Sequence, residues 1–121
     1  MTIDPKNVLR LNLAQWQGSD RPYYRIGGRV LAALAPNATG PEETIPVPAA
    51  PVGKRPVEAG IASREALLEQ GDAARAAIDR HAPDAIVTLG GDCHVDFAPI
   101  AYLSEKYGAD LAVLWVDAHP D

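Results

Sequence analysis

Cysteine occurs once among the 121 residues. A single thiol closes no internal disulfide, so nothing in the sequence asks for an oxidising compartment. Long apolar runs are also missing. None approaches the ~20 residues that a membrane span needs. Met1-Thr2-Ile3-Asp4-Pro5-Lys6 lacks the charged-then-apolar pattern of a secretory leader, so a cytoplasmic protein is expected. Positive charge is sparse too: 11 Lys and Arg stand against 16 Asp and Glu, for a net charge of −5. The basic residues are scattered and form no stripe, which argues against nucleic acid or an anionic membrane as partner.

What is present suits a globular chain. Apolar residues make up 47% and charged residues 22%, enough for a core and a solvated surface, and the length predicts one domain over 1–121. Val8-Leu9-Arg10-Leu11-Asn12-Leu13 alternates apolar and polar, the period of a strand. After it comes a turn-rich loop, where Trp16 either lines a pocket or covers a core edge, the latter being favoured. Residues 27–35 predict a short helix with Leu31, Leu34 and Ala35 on one face, ended by Pro36-Asn37. Six prolines and two glycines make 36–56 a loop, with room for an edge strand over 43–47.

Residues 63–81 carry the clearest helical pattern. Ser63 is the expected N-cap, Glu65 lies in the first turn, and Leu67, Gly71, Ala74 and Ile78 form an apolar stripe. His81 reads as a solvated residue of the last turn, and Pro83 as the stop. Residues 85–89 are short, β-branched and apolar, as in a strand buried on both faces. A helix over 97–107 follows, with Asp96 as its cap, Pro99 in its first turn and Gly108 closing it. Residues 111–116 are again continuously apolar. Strand, helix and strand over 85–116 make a parallel βαβ unit, and the fold class is α/β.

The chemistry-bearing residues leave the carboxyl ends of the last two predicted strands, where open parallel sheets collect ligands. Gly90-Gly91-Asp92-Cys93-His94 follows one, and Asp117-Ala118-His119-Pro120-Asp121 follows the other. In extended backbone the i, i+2, i+4 spacing turns Asp117, His119 and Asp121 to one side. Two carboxylates and an imidazole so crowded call for a compensating cation, and a divalent metal suits their oxygen and nitrogen donors. The plainer alternative is a polar loop in which Asp117 caps the strand end.

Together these residues resemble the arginase/agmatinase family, the ureohydrolases. Its signatures are a Gly-Gly-Asp-His-Ser loop, an Asp-Ala-His-x-Asp loop and a later Ser-x-Asp-x-Asp-x-x-Asp-Pro segment. Leu89-Gly90-Gly91-Asp92 and Asp117-Ala118-His119-Pro120-Asp121 match the first two, in order and each after a strand. The resemblance is clear over 84–121. It implies a three-layer α/β/α sandwich around a parallel sheet, and a homo-oligomer. It also implies a binuclear Mn²⁺ centre whose bridging hydroxide attacks the guanidinium carbon of a small substrate. By position, Asp117 would bridge both metals, His119 would bind one and Asp121 the other. Histone deacetylase-like enzymes share the architecture and an Asp-x-His pair, so a deacetylase-like hydrolase is a rival reading.

Two departures qualify that picture. The family's metal-binding histidine falls on Cys93, and this chain's histidine stands one place later, at His94. Cys93 is then the ligand, or His94 replaces it, or neither binds. A thiolate would favour Zn²⁺ or Fe²⁺ over Mn²⁺. A non-catalytic arginase-like metal-binding or oligomer-partner protein is therefore the second rival. The third motif does not occur before the chain stops at Asp121. The expectation is the amino-terminal part of a longer enzyme, with an incomplete sandwich and no turnover by these 121 residues alone.

Overall fold

A computed structural model describes residues 2–19, 21–49 and 53–119. The first strand, β1 (Val8–Leu13), forms where the alternation predicts it, and every second side chain is buried. Helix α1 (Tyr24–Leu34) follows, then a short strand β2 (Glu42–Thr44). A two-stranded ribbon, β3 (Val57–Glu58) and β4 (Ile61–Ala62), precedes the long helix α2 (Arg64–His81). Strand β5 (Ala85–Gly90) and helix α3 (Phe97–Tyr107) complete the regular elements, with a 3₁₀ turn over Cys93–Asp96 between them.

The main sheet has the order β2-β1-β5, and both pairings are parallel. Parallel strands with helical crossovers make the fold α/β. Leu9, Leu11 and Leu13 point to one face, where they pack with Ala74, Ala77 and Ile78 of α2 and with Val95. Leu9 and Leu11 are fully buried, each worth about 2 kcal/mol by removal of apolar surface from water. The alanines of α2 let its backbone settle close to the leucines. Helix α1 covers the opposite face through Gly28, where an added Cβ would lie 2.9 Å from Ala14 Cα and 3.0 Å from the Gly90 carbonyl. Only glycine permits that approach.

Several expectations are corrected. The segment 111–116 joins no strand ladder, and Leu114 and Val116 are 88% and 87% exposed. No described element covers the far side of such a strand, so ordering it beside β5 would bury too little surface to offset the entropy. For the same reason β5 is only half-buried, with Val87 exposed, rather than enclosed on both faces. Helix α1 begins earlier than predicted, and its Leu31 and Leu34 face solvent. The edge strand is shorter than 43–47, since Pro46 has no amide to donate, although the Ile45 amide still reaches the Asn12 carbonyl at 2.9 Å.

The caps also differ. Ser63 adopts a left-handed conformation, and its hydroxyl makes no cap bond; the Leu67 amide reaches its carbonyl instead, at 3.1 Å. Asp96 is helical and likewise makes no cap bond. The role falls to Asp92, which accepts the His94 amide at the start of the 3₁₀ turn. His81 is not simply solvated: its Nε2 lies 2.7 Å from Glu43 Oε1, tying α2 to the sheet edge. The β3–β4 ribbon is absent from the sequence reading. Its turn places Ala59 and Gly60 at positive φ, and an alanine there gives little sequence signal.

Candidate metal centre

The parallel register pairs Leu13 with Gly90, so β1 and β5 end at the same level. Their exit loops are joined immediately. The Asp92 amide donates to the Gln15 carbonyl at 3.1 Å. A Cβ on Gly91 would lie 1.9 Å from that same carbonyl oxygen, so glycine is required by contact alone. Gly90 is also close-packed, but against a side chain: an added Cβ would meet Val95 Cγ2 at 2.5 Å.

Asp92 then turns inward. Its buried carboxylate accepts the backbone amides of Gly18 at 2.8 Å and Ser19 at 3.3 Å through Oδ2, and that of His94 at 3.1 Å through Oδ1. Three amides on one carboxylate lock the loop after β5 to the loop after β1. Charge-assisted bonds of this kind are about twice as strong as neutral ones. The aspartate of the Gly-Gly-Asp motif is thus a clamp.

The next side chains border a cleft of about 700 Å³, lined by Gly91, Asp92, Cys93, His94, Asp117 and His119 among others. Cys93 is exposed, and its Sγ lies 3.7 Å from Asp117 Oδ2. The other oxygen, Asp117 Oδ1, lies 3.0 Å from His119 Nδ1 and accepts the His119 backbone amide at 2.8 Å. That amide is the first cause holding the Asp117 carboxyl below its ordinary value; the imidazole of His119 adds to it and burial opposes it. The residue is exposed as a whole, while its side chain keeps only 14% exposure. His119 extends outward, its side chain 60% exposed.

His94 has a different setting. Its Nδ1 lies 3.1 Å from Gln15 Oε1, and its ring stacks on Phe97 at 5.3 Å between centroids. The two loops therefore bring together Cys93, Asp117 and His119, with His94 on the same cleft wall. Asp121 lies outside the described residues. Among the described residues no three His, Cys, Asp or Glu side chains stand close enough to hold a metal ion. Trp16 is not part of the cleft. It is 1% exposed, its indole N–H donates to the Pro48 carbonyl at 3.1 Å, and the Arg55 guanidinium lies over its ring.

Sequence reasoning missed two residues beside this site, Gln15 and Gln70. Both are buried glutamines, and Gln70 stands within the otherwise apolar inner face of α2. A long amide on such a face is the available signal, since burial without hydrogen bonds costs too much to persist.

A parallel sheet whose β5 end carries a Gly-Gly-Asp loop, met in one cleft by an Asp-x-His turn that follows an unpaired segment, defines the class: an α/β protein with a cleft at the carboxyl edge of its sheet. The family model described as the arginase family matches residues 29–121, and the chain belongs to that family. No curated protein matches it.

Proposed function

We propose that this chain carries the first two metal-binding loops of a ureohydrolase-type hydrolase, one that cleaves a guanidino C–N bond of a small substrate. The observation behind this reading is the Asp117 carboxylate, whose two oxygens face different donors, Cys93 Sγ and His119 Nδ1. A carboxylate so placed suits a bridging role between two metal ions. In this reading Cys93 and Asp121 complete one metal's contacts from this chain, and His119 serves the other. His94 becomes the alternative to Cys93 only if it leaves Gln15 or binds through Nε2. The donor set fits a divalent metal, and the thiol tilts it from Mn²⁺ toward Zn²⁺ or Fe²⁺.

A bound metal pair would supply a water acidic enough to act as nucleophile near neutral pH. The chain's own contribution is placement. Asp92 fixes the loop that carries Cys93, and the His119 amide keeps Asp117 ionised and ready to bind a cation. The proposal includes a cytoplasmic homo-oligomer. The 121-residue chain contains no Ser-x-Asp-x-Asp segment, so it should release no urea from guanidino substrates.

Calorimetric titration of the purified protein with Zn²⁺ and Mn²⁺ tests the reading. Zn²⁺ should bind more tightly, Cys93→Ser should narrow that preference, and Asp117→Asn should weaken both metals. Loss of an outer partner alone costs ~10–100-fold in metal affinity, so a lost ligand should cost at least that. Unchanged binding in Asp117→Asn would overturn the proposal.

A further inference from the structure

Behind the cleft runs a chain of hydrogen bonds whose direction can be read without seeing a hydrogen. It starts at a backbone carbonyl, which only accepts. Gln70 Nε2 lies 3.0 Å from the Ala66 carbonyl oxygen, so the amide nitrogen of Gln70 must be the atom that faces it. Gln70 Oε1 is then left to accept from Gln15 Nε2 at 3.1 Å. That orientation turns Gln15 Oε1 toward His94 Nδ1, also at 3.1 Å. An amide oxygen cannot donate, so His94 Nδ1 must carry the proton. A neutral imidazole holds one N–H, and the lone pair is therefore on Nε2.

The two amides are well placed to enforce this. Gln15 is fully buried and Gln70 is 3% exposed, so reversing either would leave like atoms facing each other without water to relieve them. Stacking on Phe97 fixes the plane of the ring. His94 lines the cleft, and its Nε2 has no hydrogen-bond partner among the described residues.

We infer that Gln15 and Gln70 are positioning residues that set the tautomer of His94 and keep its Nε2 lone pair available as a hydrogen-bond acceptor in the cleft. Naming the donor as a guanidino N–H of the substrate rests on the functional reading above; the tautomer does not. Fixing a histidine through the partner of its other nitrogen is a general device of reactive sites.

Long-range ¹H–¹⁵N correlation spectra of the imidazoles decide the matter, recorded at one pH where histidine is neutral. The expected wild-type result is a His94 Nδ1–H tautomer with Nε2 unprotonated. Gln70→Leu should shift it toward a mixture, and Gln15→Leu should shift it further. Gln15→Glu keeps an acceptor opposite Nδ1 and should preserve the tautomer. The His81 signal, set by the contact of its ring with Glu43, reports whether each variant is folded. An Nε2–H tautomer in the wild type overturns the inference whatever the variants do, as does a tautomer indifferent to loss of both amides in folded protein. Neither result touches the metal titrations, and failed metal binding with the Nδ1–H tautomer intact would remove the functional reading alone.

Discussion

The two loops that meet at the cleft are built in opposite ways. The one after β5 is fastened from every side: Gly91 lies against the Gln15 carbonyl, Asp92 gathers three amides, and Val95 joins the core. The one that carries Asp117 and His119 follows an exposed, unpaired segment, and its hydrogen bonds are mostly to itself. A link between them runs from Asp117 to Cys93 at 3.7 Å. A short motif can thus be a rigid part of the fold or a pendant on it. Spacing in the sequence does not distinguish the two.

Mutations can break or sharpen this contrast. The largest effect should come from Gly91→Ala, because the new methyl cannot coexist with the Gln15 carbonyl unless β1 and β5 separate at their ends. We expect a loss of about 3 kcal/mol or more in urea unfolding. Asp92→Ala should follow at roughly 2 kcal/mol, since it strips the shared acceptor from three amides. Equal stability of Asp92→Ala and wild type would mean that the clamp contributes nothing.

The near end of β5 gives a smaller, pH-dependent effect. Lys106 first, then Asn7, hold the Asp84 carboxyl below its ordinary value. A depressed folded-state pKa stabilises above the unfolded value, and that stabilisation is lost as pH falls through the folded one. Asp84→Asn should therefore melt below wild type at neutral pH, and the gap should close in acid, below about pH 4. A gap that widens in acid would contradict the pairing. Smallest of all should be Val116→Ser, within about 0.5 kcal/mol, as for an exposed site. A loss of 2 kcal/mol or more there would mean that 111–116 is packed in solution and that the contrast between the loops is false.

Much of the fold was legible because it follows from local pattern. Strand β1 is written in the alternation of Leu9, Leu11 and Leu13, and α2 in the stripe from Leu67 to Ile78. Where a prediction needed knowledge of what covers a surface, it failed. The run 111–116 has the composition of a buried strand, yet composition does not supply a neighbour. At the cleft, the meeting of Cys93, Asp117 and His119 follows the expectation from residue type and spacing, which act over a few bonds. Asp92 was noted as part of a motif, but its clamp on Gly18 and Ser19 joins residues over 70 positions apart. The Gln70–Gln15–His94 chain likewise depends on tertiary contact.

The parallel pairing of β1 with β5 has a further consequence, in the order of events during synthesis. Asn7 and Asp84, bonded at the near end of that pair, are 77 residues apart. At ~5–20 residues per second, the first strand waits roughly 4–15 s for its partner to be made. Throughout that interval Leu9, Leu11 and Leu13 have no sheet neighbour on that side, and closing so long a loop is slow by topology. Nascent chains should be sticky until the Gly90–Asp92 turn emerges, so a chaperone that shields apolar segments would act on this protein before the cleft exists.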